Sequence, residues 1–108
     1  MATSRDYLAY IEQALSRIRG IRFTYMFGEY GVYYRAAMVG YLADNIFFLK
    51  ATPSTDQALA GSEMGLPYPK AKPAYIISDA LLQNDAYLET IIQECAQDIL
   101  AKKAPAAE

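Results

Sequence analysis

Apolar residues recur at three- and four-residue spacing near the start of the chain, at Leu8, Ile11, Leu15 and Ile18, with Glu12, Gln13, Ser16 and Arg17 between them. That period sets one apolar stripe along a helix. Thr3-x-x-Asp6 reads as a capping box that opens the helix, and Gly20 as its stop. From Arg22 to Lys50 the period changes to two and β-branched or aromatic residues dominate, which predicts four half-buried strands. Phe27-Gly28-Glu29-Tyr30 suits a two-residue loop with glycine first, because glycine takes positive φ at little cost. Asp44-Asn45 suits another such turn, and the middle turn is placed at Ala36-Ala37. With these turns Phe27 faces Tyr30, Tyr25 faces Val32 and Phe23 faces Tyr34, so one surface becomes an aromatic ladder. The other surface then carries Met26, Gly31, Tyr33, Met38, Gly40, Leu42, Phe47 and Leu49, and its two glycines leave a depression for a packed helix.

Beyond Lys50, Ser54-Thr55-Asp56-Gln57 fits a second capping box after Pro53, and Gly61 ends a short connector helix. Gly65, Pro67, Pro69 and Pro73 make the next stretch a loop or an edge segment. Ala74-Tyr75-Ile76-Ile77 predicts one more short strand, Ser78-Asp79 a helical turn through Leu82, and Asn84-Asp85 the cap of a last long helix. Leu88, Ile91, Ile92, Cys95 and Ile99 form the apolar stripe of that helix. The expected fold class is therefore α+β: an N-terminal helix, a central antiparallel sheet made of a four-strand meander and a further short strand, and a C-terminal helix packed on the sheet. Residues 1–103 form one domain in this reading, and 104–108 a frayed tail.

Composition changes the picture mainly by exclusion. Ten basic against twelve acidic residues leave a net charge of -2, so no general field draws the chain to phosphate backbones, and nucleic acid is not the expected partner. Arg17, Arg19 and Arg22 lie close together and read as a solvated face. Cys95 is the single cysteine, which excludes an intrachain disulfide and a cysteine-based zinc cluster. No signal-peptide pattern opens the sequence and its longest apolar run is too short to span a bilayer, so the expectation is a cytoplasmic protein without membrane attachment.

Histidine is absent altogether, which removes the commonest general base and metal ligand. Glu29, Asp44, Glu63 and Asp79 form no spaced acid/base pair, and Gly28-x-x-Gly31 precedes a strand where a phosphate loop needs a helix. No catalytic, cofactor-binding or metal-ligating residue is named, and no cofactor is expected. What remains is a surplus of tyrosine and methionine, residue types enriched at interface cores. The candidate interaction surface is Tyr25, Met26, Phe27, Glu29, Tyr30, Tyr33 and Tyr34, with Gly28, Gly31, Asp44 and Asn45 as structural turn residues.

Met26-Phe27-Gly28-Glu29-Tyr30-Gly31-Val32-Tyr33 resembles the Met-Phe-Gly-Gly-Tyr-Gly-Leu-Tyr signature of the TfoX (Sxy) family N-terminal domain. Leu42-Ala43-Asp44-Asn45 and Phe47-Phe48-Leu49-Lys50 are similar to that family's Ala-Asp-Gly turn and Leu-Tyr-Leu-Lys strand. The chain departs from the pattern at Tyr25, where the family usually has arginine, and at Glu29 and Asn45, each in place of a glycine. The resemblance implies a stand-alone domain of this family, without the second domain that competence regulators usually carry. It also implies a non-enzymatic role in regulation through a protein partner, a transcription regulator or another copy of the chain. A DNA-associated co-regulator and a small-ligand-binding domain are the alternatives.

Overall fold

The computed structural model describes residues 3–103, and the expected tail at 104–108 lies outside them. Helix α1 (Arg5–Ala14) opens on Ser4, whose side chain accepts the Tyr7 N–H. The expected Thr3 cap is corrected, because Thr3 is engaged elsewhere. Strands β1 (Ile21–Met26), β2 (Glu29–Tyr34), β3 (Ala37–Ala43) and β4 (Ile46–Lys50) form the antiparallel meander. The capping box expected at Ser54-Thr55-Asp56-Gln57 is corrected for helix α2 (Pro53–Ala58): the cap lies two residues earlier, at Thr52, Pro53 fills the first helical position, and Thr52 and Thr55 make the reciprocal capping bonds. The stretch expected as a loop or edge holds the two-residue β5 (Met64–Gly65), and β6 (Ala74–Ile76) joins it to β4. Helices α3 (Asp79–Leu82) and α4 (Asp85–Lys103) close the fold, with Ser78 capping the first. The sheet order is β1-β2-β3-β4-β6-β5, one short strand more than expected.

Register is where the structure departs most from the pattern. The first hairpin turns at Phe27-Gly28 and pairs Met26 with Glu29, Tyr25 with Tyr30, Phe23 with Val32 and Ile21 with Tyr34. Phe27 and Gly28 have φ of 52° and 83°, so both central residues are left-handed, and the loop centre lies one residue before the expected Gly28-Glu29. Glu29 is thus the first residue of β2, and Gly31 lies inside that strand rather than in a turn. The middle turn is Arg35-Ala36 and not Ala36-Ala37, with Tyr34 paired to Ala37. Asp44 and Asn45, at φ of 52° and 58°, form the expected third turn.

A bulge in β3 decides which residues are inside. Tyr33 pairs with Met38 but Val32 pairs with Gly40, which leaves Val39 as an extra residue. Past the bulge every side chain of β3 changes face relative to a regular strand. Leu42, Phe47 and Leu49 therefore join Val32 and Tyr34 in the main core, away from Met26, Tyr33 and Met38, which corrects the expected grouping. The main core is completed by Ile11, Leu15 and Ile18 and by Leu88, Ile91, Ile92 and Cys95 of α4. Each fully buried aliphatic side chain of that stripe contributes about 1.5–3 kcal/mol. The expected glycine depression does not receive a helix. Met38 and Met26 fill the space over Gly31, and Gly40 is pressed so close to β4 that an added Cβ would collide with the Phe48 carbonyl oxygen.

Helices cover one face of the sheet only. On the other a smaller cluster of Ala43, Phe48 and Ala74 is extended by Tyr41, Ile46 and Ile76.

Candidate functional site

Thr3 fastens the two type I′ turns at one end of the molecule. Its N–H donates to the Gly28 carbonyl at 3.0 Å, and its hydroxyl donates to Glu29 Oε1 at 2.6 Å. The same Oε1 accepts the Asp44 N–H at 3.3 Å, the Asn45 N–H donates to Thr3 Oγ1 at 3.4 Å, and the Ser4 N–H donates to Asn45 Oδ1 at 2.9 Å. A charged acceptor shared by two donors holds more firmly than a neutral one. Two hairpin ends that would otherwise fray are tied to the start of α1.

The tip so fixed carries Phe27 entirely in solvent, at 102% relative exposure, on a backbone at φ 52°. Asparagine, aspartate and glycine are the ordinary residues there, since a Cβ crowds the following carbonyl in the left-handed region. Tyr25 beside it is 65% exposed and meets Tyr30 edge-on, with ring centroids 5.4 Å apart. Tyr30 and Tyr33 are half-buried, the latter beneath the Arg22 guanidinium at 4.2 Å from the ring centroid. Tyr34 does not belong to the surface. It is 8% exposed, its hydroxyl accepts from Gln93 Nε2 at 3.3 Å, and it is part of the main core. Its ring points to the helix face because it lies two residues beyond Val32 on β2, on the same side of the sheet.

Between the tip, the open sheet face and the segment 66–69 runs a groove of about 1050 Å³. Met26, Tyr30, Met38, Tyr41, Leu66 and Tyr68 supply apolar wall, and among the described residues Glu29 and Asp44 are the charged ones that line it. Tyr41 and Tyr68 meet edge-on at 5.7 Å between centroids. Burial first, and then the adjacent Tyr68 hydroxyl, push the Tyr41 phenol up to about 12. Behind this pair lies a second cleft of about 550 Å³. Neither Tyr41 nor Tyr68 belongs to the candidate interaction surface expected from the sequence. The available signal was the alternation of proline with apolar residues in Leu66-Pro67-Tyr68-Pro69, which suits a rigid segment laid over a sheet face.

Nothing in this arrangement resembles a reaction centre among the described residues. Cys95 is fully buried, and burial pushes its thiol up to about 12. Among the described residues no group of histidine, cysteine, aspartate or glutamate side chains is placed to hold a metal ion, and no buried side-chain nitrogen or oxygen lacks a partner. Of the three arginines that lie close together in the sequence, Arg17 lies 3.9 Å from Asp85 and Arg22 is stacked on Tyr33.

The tip, both primed turns, the meander and the closing helix all fall within residues 13–99, which match the family described as the TfoX N-terminal domain. The chain belongs to that family. A relative from Spirochaeta aurantia, named as an uncharacterized 12.7 kDa protein in the trpE 5′ region, is 35% identical over 104 residues. The alignment covers 95% of this chain and 89% of the relative. For the TfoX N-terminal domain as seen in this chain, the groove and nearly all of the second cleft lie within the matched residues, while Lys102 at the cleft edge lies beyond them. No described helix is long and apolar enough to cross a membrane.

Proposed function

We propose that this chain is a non-enzymatic regulatory domain that acts by docking a protein partner on the hairpin tip and the adjoining aromatic groove. The observation that carries this reading is Phe27. A large apolar side chain stands wholly in solvent on a left-handed backbone, where it gains no intramolecular burial and costs about 1–2 kcal/mol of backbone strain. Such a choice is locally unfavourable, and a local cost of this kind is the mark of a site kept for contact. Tyrosine and methionine side chains behind the tip supply adaptable apolar surface of the kind found at interface centres. Membership of the TfoX family supports a regulatory role for that contact.

The test is capture of the partner from the native source cytosol by wild-type protein and by Phe27→Asn. The reading expects capture to fall at least about 10-fold in the variant, the loss of one buried aromatic anchor, while the fold is retained. Equal capture by a folded Phe27→Asn protein would remove the tip from the function.

A further inference from the structure

Four of the five lysines of this net-acidic chain, Lys50, Lys70, Lys72 and Lys102, gather round the second cleft. It is formed by the start of α2, the segment 68–74 and the last turns of α4. Among the described residues Asp98 is the only carboxylate lining it, and one of its oxygens is occupied by the Ser54 N–H at 2.8 Å. Lys70 sits at φ 69° in the turn closed by the Ala71 N–H to the Tyr68 carbonyl, where glycine or asparagine would be cheaper. Tyr41 and Tyr68 wall the cleft on the side of the groove, and the Lys50 ammonium lies 5.6 Å from the Tyr41 ring centroid.

We propose that this cleft binds a small phosphorylated anion carrying a planar ring, of the nucleoside di- or triphosphate class. Lysine ammonium groups are compact point charges on flexible stems, and several lining one cavity can reach the oxygens of a polyphosphate. Tyrosine rings in the wall offer a face for a planar group. A cavity of about 550 Å³ holds one such molecule, within the usual size of small-ligand sites. The cationic lining is one cavity long. Past the tyrosine pair the lining charges are Glu29 and Asp44, so a nucleic-acid strand continuing in that direction would meet repulsion.

The experiment is titration of the full chain with ATP, inorganic pyrophosphate and adenosine at low ionic strength, read by calorimetry and by thermal midpoint. ATP and pyrophosphate are expected to bind saturably and raise the midpoint, more weakly as salt is added, and adenosine to do neither. Lys70→Glu with Lys72→Glu, both at exposed positions, should weaken ATP binding about 10-fold or more, whereas Arg5→Glu, the same charge change away from the cleft, should leave it unaltered. Tyr68→Ala should reduce ATP affinity towards that of pyrophosphate and leave pyrophosphate untouched. The proposal is overturned by no saturable ATP binding at millimolar concentration. An equal loss in Arg5→Glu, or tight binding of a single-stranded oligonucleotide without binding of ATP, would overturn it as well.

Discussion

At the scale of single residues, stability and contact pull in opposite directions at Phe27. Asparagine there would restore the Asn-Gly pair that a type I′ turn prefers and would forfeit no buried area, since the ring touches little of its own chain. Phe27→Asn should therefore raise unfolding free energy by about 1 kcal/mol in urea titration while it weakens partner capture. A fall in stability would mean that the ring packs on the protein after all. Gly40 is constrained from the other side. Its missing Cβ admits the Phe48 carbonyl, and neither backbone can retreat without breaking the β3–β4 ladder. Gly40→Ala should cost about 3 kcal/mol, measurable as a lower urea midpoint with a largely unchanged slope.

Among the elements, the strap between the start of α1 and the two turns sets how rigidly the tip is presented. Thr3→Val keeps the shape but removes both the donor to Glu29 and the acceptor for the Asn45 N–H. It should destabilise the protein by about 1–2 kcal/mol and speed hydrogen exchange selectively at the Phe27-Gly28 and Asp44-Asn45 turns. Exchange that rises evenly over the whole sheet would instead assign Thr3 a purely global role. These elements also show what the residue pattern could disclose. Periods of 3.6 and 2.0 marked both long helices and the meander, because each has one strongly buried face, and Asp44-Asn45 announced its own turn by residue type. The Phe27-Gly28 centre was hidden because nothing in the sequence favours phenylalanine at positive φ. Val39 gives no sign that it is bulged, since it is an ordinary strand residue, yet that one insertion moved Leu42, Phe47 and Leu49 to the opposite face. Helix starts slipped by a residue or more, to Ser4 and Thr52, because neighbouring threonines and serines offer equally good caps and tertiary contacts choose among them. The aromatics flanking the first hairpin turn stand out as a local cluster and Tyr68 is flanked by prolines, but the pairing of Tyr41 with Tyr68 and the gathering of the lysines bring together distant segments and so leave no local trace.

For the whole molecule, burial of ionisable groups predicts behaviour in alkali. Burial pushes Tyr7 from 10.0, and Cys95 from 9.0, up to about 12, and Tyr41 is raised likewise. The unfolded chain, with ordinary values, gives up these protons at lower pH than the native state. Their contribution to stability is thus complete below about pH 9 and is lost as pH climbs towards about 12. Urea unfolding followed across that range should show a plateau and then a steady decline, and a curve still flat at pH 11 would contradict the native burial of these groups. On the acid side, hydrogen bonds from Ser54 hold the Asp98 carboxyl below its usual range. The small stabilisation it gives is present above the ordinary aspartate value and disappears as pH falls through the lowered one.

The Tyr41–Tyr68 pair belongs to both cavities, as one wall seen from two sides. A ligand that turns either ring to suit one cavity necessarily reshapes the other. By thermodynamic linkage, whatever factor an anion in the cleft imposes on affinity in the groove, a partner in the groove imposes on affinity for the anion. A domain of this size would then be able to make recognition of one molecule conditional on another.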